Sequence, residues 1–226
     1  MGILQNLPQV ILAVGGLGTA AFGLVDATKV FWGGVNHIGF SGIRRRIAGL
    51  IPHRASNALG QRDVLETLKG NWFNGTDLAS QKAIAKSLIK LAFNPDNAEG
   101  MAGASGVDPE VLKSVAVSLA NGTPLTPAQN DIWARFDLIL TALLDETYQR
   151  ADQQYTNGTR AWAVVFSIAL AIVAALIINA NATDGVHIAF WESFVVGLLA
   201  TPLAPIAKDL SSALSTAVNT MQLVKK

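Results

Sequence analysis

Ala161–Ala180 reads AWAVVFSIALAIVAALIINA, without an ionisable residue, a proline or a glycine. About 20 apolar residues carry an α-helix across roughly 30 Å of hydrocarbon. In lipid every backbone N–H and C=O must be paired within its own segment, so the run predicts a helix. Arg160 stands before it, and Asn179, Asn181 and Asp184 crowd its far end. The remaining alternative is a buried helix of a large soluble domain. Composition argues against that, since only 15% of the 226 residues are charged and 50% are hydrophobic, whereas a soluble domain averages about 25% charged.

A first span is expected at Ile3–Val25. Met1-Gly2-Ile3-Leu4-Gln5-Asn6 lacks the basic region of a cleaved signal peptide, so a retained anchor is expected. Pro8 falls in its first turns, where a missing N–H costs least. Gly15, Gly16, Thr19, Ala20 and Gly23 put small residues three to four apart. Helices in lipid associate by close packing, so these five residues form a candidate helix-packing face. Asp26 and Lys29 follow at a spacing that lets them pair. Ionisable residues at membrane depth are candidates for function by default, but an interfacial ion pair fits these two better. Phe31 and Trp32 suit an aromatic belt.

Beyond the span come Arg44, Arg45, Arg46 and Arg54, a basic cluster of the kind that marks a cytoplasmic flank. Ile43, Ile47, Leu50 and Ile51 recur at helical spacing between them. A basic amphipathic helix on the membrane surface is expected here, with anionic lipid as a candidate partner. Arg62–Gly70 predicts a helix ending at its glycine, and Asn71–Gly75 a turn. Thr76 or Asp77 predicts the start of a helix running through Phe93, with Lys82, Lys86 and Lys90 as its solvated stripe. Asn94–Val107 reads as a loop. Its glycines lack the lysine and hydroxyl residue that would end a phosphate loop. Asp108-Pro109-Glu110 opens a further helix.

Thr126-Pro127-Ala128-Gln129 has the form of a capping box with proline at the first helical position. Trp133, Phe136, Leu140, Leu143 or Leu144, Tyr148 and Ala151 then trace one apolar stripe. The pattern predicts one long helix running into the second span, with a possible hinge at Asn157-Gly158. A third span is expected from His187 to about Ala207, with Glu192 near one interface and Pro202 and Pro205 bending the other half. An amphipathic tail follows. The expected division is 1–32 (first span), 33–125 (cytoplasmic helical region), 126–160 (stalk), 161–208 (transmembrane hairpin) and 209–226 (cytoplasmic tail). The fold class is all-α: an integral membrane protein with about three transmembrane helices and a small cytoplasmic helical domain. The N-terminus is expected outside.

Phe136-Asp137, Tyr148-Gln149-Arg150, Asn179-Ala180 with Thr183-Asp184, Gly197-Leu198-Leu199-Ala200-Thr201 and Asp209-Leu210 carry a resemblance. Over its first 50 and last 90 residues the chain resembles a group of uncharacterised bacterial membrane proteins. These have one N-terminal span, a variable helical region and a closing transmembrane hairpin. Their aromatic-rich segment before the final Asp-Leu is here Pro205-Ile206-Ala207-Lys208. The resemblance implies topology only, since no activity is attached to the group, and a bacterial inner membrane is the expected location.

Catalytic chemistry finds little to stand on. His37, His53 and His187 have no second ligand at metal spacing, and no nucleophile elbow or dinucleotide fingerprint occurs. The absence of cysteine removes thiolate sites. Asp145 and Glu146 are adjacent on a helix and point about 100° apart. No enzyme activity, catalytic residue, metal or cofactor is expected. With a net charge of +1, nucleic acid is not an expected partner. The reading favoured is a self-associating membrane scaffold whose partners are the bilayer and further copies of the chain. The alternative is an oligomeric channel or transporter component, with Asp26, Lys29 and Glu192 as intramembrane polar candidates.

Overall fold

The computed structural model describes residues 2–51, 60–181 and 187–224. Among them are eight α-helices and no strand. They are α1 (Gly2–Trp32), α2 (Asn36–Ala48), α3 (Gln61–Phe73), α4 (Leu78–Leu91), α5 (Ala98–Ser105), α6 (Pro109–Ala120), α7 (Pro127–Asn181) and α8 (Phe190–Val224). The chain divides into two compact units: a bundle of Met1–Val35 with Thr156–Lys226, and a lobe of Asn36–Tyr155. Helix α7 passes from one to the other without a break, through Asn157-Gly158.

The bundle holds three helices long and apolar enough to cross a membrane: α1, α7 and α8. Large apolar side chains such as Val165, Val173, Leu176, Leu198 and Leu199 remain uncovered along them. Water would penalise that surface by roughly 25 cal/mol for each Å², so the bundle points to a membrane location. Phe31, Trp32, Phe190 and Trp191 are exposed at helix ends, as an aromatic belt requires. Helix α8 continues through Pro202 and Pro205 into the tail as one element.

The lobe is built as water-soluble domains are, around large buried side chains. Phe136, Leu140, Leu144, Tyr148 and Ala151 of α7 form its central stripe, as their spacing predicts. Phe136 is fully buried and forms a three-ring cluster with Trp133 and Phe93. The capping box at the start of α7 is present in both halves. The Thr126 N–H donates to Gln129 Oε1 at 2.8 Å, and the Gln129 N–H to Thr126 Oγ1 at 3.3 Å. Asp77 caps α4 by accepting from Ser80 N–H, and Asp108 caps α6 by accepting from Val111 N–H.

Four local expectations change. Helix α3 does not stop at Gly70 but runs to Phe73, because Trp72 is buried and its indole donates to the Asn36 carbonyl at 3.0 Å. Asn94–Val107 is not a loop throughout, for α5 lies within it. Two buried asparagines organise its entry: Asn97 Nδ2 donates to the Ala92 carbonyl at 2.6 Å, and Asn94 Oδ1 accepts from Asp96 and Asn97 N–H. The lysines of α4 are no solvated stripe, since they pair with carboxylates of α7. Finally, Ile43, Ile47, Leu50 and Ile51 all belong to the lobe's core. The apolar side of α2 therefore covers protein and is not free to lie on lipid.

Candidate functional site

Two groups of residues stand out, one in each unit. In the bundle, Gly15, Gly18, Ala21 and Val25 form the buried face of α1. A Cβ on Gly15 would stand 2.1 Å from Ala207 Cβ, and one on Gly18 would stand 2.1 Å from the Ala200 carbonyl oxygen. No side chain fits there, so these glycines set how closely α1 and α8 approach. Gly197 of α8 does the same for α7, since a Cβ would lie 2.5 Å from Ile168 Cα. The Ser167 hydroxyl donates to the Gly197 carbonyl at 2.7 Å and lies 3.3 Å from Thr201 Oγ1.

Of the five small residues singled out from spacing, Gly15 takes part in this contact. Gly16 and Gly23 have nothing within 4 Å of where a Cβ would stand, and Thr19 and Ala20 are exposed. Gly18, which sequence reasoning passed over, takes their place in the packing. At 100° per residue, Gly16, Ala20 and Gly23, together with exposed Ala27, fall on one stripe roughly opposite the buried one. Helix α1 thus has two small-residue faces, and α8 fills one.

The polar candidates of the bundle are each held locally. Lys29 Nζ pairs with Asp26 Oδ1 at 2.7 Å, the spacing-predicted ion pair. Glu192 Oε2 accepts from the Ala189 N–H at 2.9 Å, at the start of α8, where a carboxylate meets unpaired amides. Asn179 closes the hairpin from both ends of its amide, accepting from Ile188 N–H at 2.8 Å and donating to its carbonyl at 2.9 Å.

In the lobe, the charges form two sets. The first is a seam between α4 and α7. Lys82 pairs with Asp145 at 2.5 Å, and Lys86 with Asp137 at 2.7 Å; Lys90 also pairs with Asp137. Burial works to raise the Asp137 carboxyl. The hydrogen bonds and charges of Lys86 and Lys90 outweigh it and hold the group below the usual carboxylate range. The second set joins α2 to α7 through Glu146, which pairs with Arg150 and stands 4.0 Å from Arg46. Arg44, Arg45 and Arg46 are exposed, while Arg54 lies outside the described residues. Tyr148 is buried beside Trp72, and its hydroxyl has no hydrogen-bond partner among the described residues. Burial pushes its phenol upward. No cluster of three or more potential metal ligands occurs among the described residues.

Compared with protein-family models, with curated proteins and with solved structures, the chain matches none.

Proposed function

We propose that this chain is a self-associating integral membrane protein with a structural or scaffolding role, its lobe lying on the cytoplasmic side of a bacterial inner membrane. The observation that carries the reading is the open small-residue stripe of α1. Gly16, Ala20, Gly23 and Ala27 are exposed on a helix whose other small-residue face is already closed by α8. In lipid, water drives no apolar burial, and such stripes associate because backbones can come close. The cytoplasmic placement draws on Arg44, Arg45 and Arg46 after the first apolar helix, Arg160 before the second apolar run and Lys208 at the end of the third. The conducting alternative loses its footing where Asp26 is paired and Glu192 serves a helix start.

The test is the mass of the detergent-solubilised particle by native mass spectrometry. A defined multiple of the chain mass is expected, falling to one chain when Gly16→Leu and Gly23→Leu are combined. A wild-type particle that is monodisperse and monomeric in mild detergent and in nanodiscs rejects the reading.

A further inference from the structure

Between α2 and α7 the lobe has a groove of about 310 Å³, whose walls include Arg45, Arg46, Glu146, Thr147, Arg150 and Gln154. Three guanidiniums meet one carboxylate there, so three positive charges less one negative leave +2. Glu146 is engaged by Arg150 and Arg46, whereas Arg45 has no ion pair among the described residues. The Thr147 hydroxyl donates to the Leu143 carbonyl at 2.6 Å, which commits its proton and leaves the guanidiniums and the Gln154 amide as the donors. Gly42 also lines the groove and leaves room in it, since a Cβ there would come no nearer than 3.6 Å to Gln154 Oε1.

This arrangement is not accounted for by folding. The apolar side of α2 is already buried in the core, so the arginines are not needed to hold a greasy face onto lipid. Nor do the groove's own walls neutralise them, since Glu146 is the one carboxylate that lines it. Guanidinium forks suit tetrahedral oxyanions because two parallel N–H donors meet two oxygens of one phosphate. We propose that this groove binds a phosphate group, and that the group is the headgroup phosphate of an anionic membrane lipid. The lipid source rests on the membrane location in the proposed function; the phosphate chemistry does not depend on self-association. Chain distance supports the source. Asn36 opens α2 four residues after Trp32 closes α1, and Gln154 lies seven residues, about 10 Å of helix, before Ala161 opens the apolar run. Glu146 is then the internal competitor, occupying two arginines until a phosphate displaces it.

The experiment uses the full chain in detergent and reads bound lipid and subunit number from the same native mass spectra. It titrates phosphatidylglycerol, phosphatidylcholine and inorganic phosphate separately. Retention of phosphatidylglycerol over phosphatidylcholine is expected, weakened about tenfold or more by Arg45→Gln with Arg150→Gln, since two charge-assisted contacts are lost. Gly42→Leu, which fills the groove without altering charge, should weaken it as well. Glu146→Gln should strengthen retention several-fold, and Arg62→Gln, an exposed charge elsewhere in the lobe, should leave it unchanged. Equal losses from Arg62→Gln and the groove variants, or no gain from Glu146→Gln, overturn the site. Binding of inorganic phosphate without lipid preference, with the same variant pattern, supports the phosphate site and overturns the lipid as its source. A monomeric particle that retains lipid with this pattern rejects the scaffold while supporting the groove.

Discussion

The lobe and the bundle are both made of packed helices, yet they pack by opposite means. In the lobe large side chains are fully buried: Phe136, Tyr148, Leu140, Leu144, Ile43 and Ile89. In the bundle the buried positions of α1, α7 and α8 are small apart from Val25, among them Gly15, Gly18, Ala163, Ser167, Ala171, Gly197, Ala200 and Ala204. The difference follows from the solvent each unit is made for. Water drives large apolar groups inward, at about 0.8 kcal/mol for each buried methylene. Lipid offers no such gain, so helices there are held by close backbone approach and by hydrogen bonds such as Ser167 to the Gly197 carbonyl. Large-to-small changes should therefore break the lobe, and small-to-large changes the bundle.

The largest effect is expected from Phe136→Ala. The ring is fully buried and stacked on Phe93 and Trp133, so its removal deletes transfer energy and leaves a cavity. The expected loss is about 3–5 kcal/mol, confined to the lobe. Fluorine NMR of 5-fluorotryptophan protein can check this, because Trp72 and Trp133 report on the lobe and Trp32, Trp162 and Trp191 on the bundle. Collapse of all five resonances together would show that the two units do not unfold separately.

The converse change is Gly18→Leu in the bundle. Even the first carbon of a side chain would overlap the Ala200 carbonyl, so α1 must move away from α8. Overpacking a tight contact costs about 1–3 kcal/mol and sometimes more. At Gly16, two residues away, a Cβ meets no atom within 4 Å, and Gly16→Leu should leave single-chain stability within about 0.5 kcal/mol. Thermal unfolding of the two variants in the same detergent measures the contrast. Equal destabilisation would mean that the assignment of the two faces is mistaken.

These same residues show how much could be read beforehand. The apolar runs and the capping box at Thr126 are signals complete within a few turns of chain, and they survive unchanged in the structure. Which face of α1 meets α8 was not legible, because glycines stand at 15, 16, 18 and 23 and both faces satisfy the spacing rule. Ala200, Ala204 and Ala207 decide it from almost 200 residues away. The lysine stripe of α4 failed similarly. Periodicity shows that Lys82, Lys86 and Lys90 share a face, but not that Asp137 and Asp145 of α7 confront it. The end of α3 was misplaced because Gly70 and Asn71 look like a terminus until Trp72 finds the Asn36 carbonyl. The arginine groove needs both α2 and α7, whose charges are about 100 residues apart in sequence, so only half of it was visible.

The smallest expected effect sharpens the contrast through pH. Asp137 is held below the usual carboxylate range by Lys86 and Lys90, against the opposing effect of burial. A carboxyl with a depressed folded-state pKa binds its proton more weakly when folded than when unfolded. Its contribution is thus fully present above the unfolded value of about 3.9 and is lost as pH falls through the folded one. Asp137→Asn should cost about 1–3 kcal/mol at neutral pH by leaving two half-buried lysines without their carboxylate. The gap between variant and wild type should narrow below about pH 4. Denaturation followed through the Trp133 fluorine resonance, at a series of pH values, measures that gap. Trp162 should show no matching change, since the seam belongs to the lobe alone. A gap that stays constant down to pH 2 would show that Asp137 contributes by packing and not by charge.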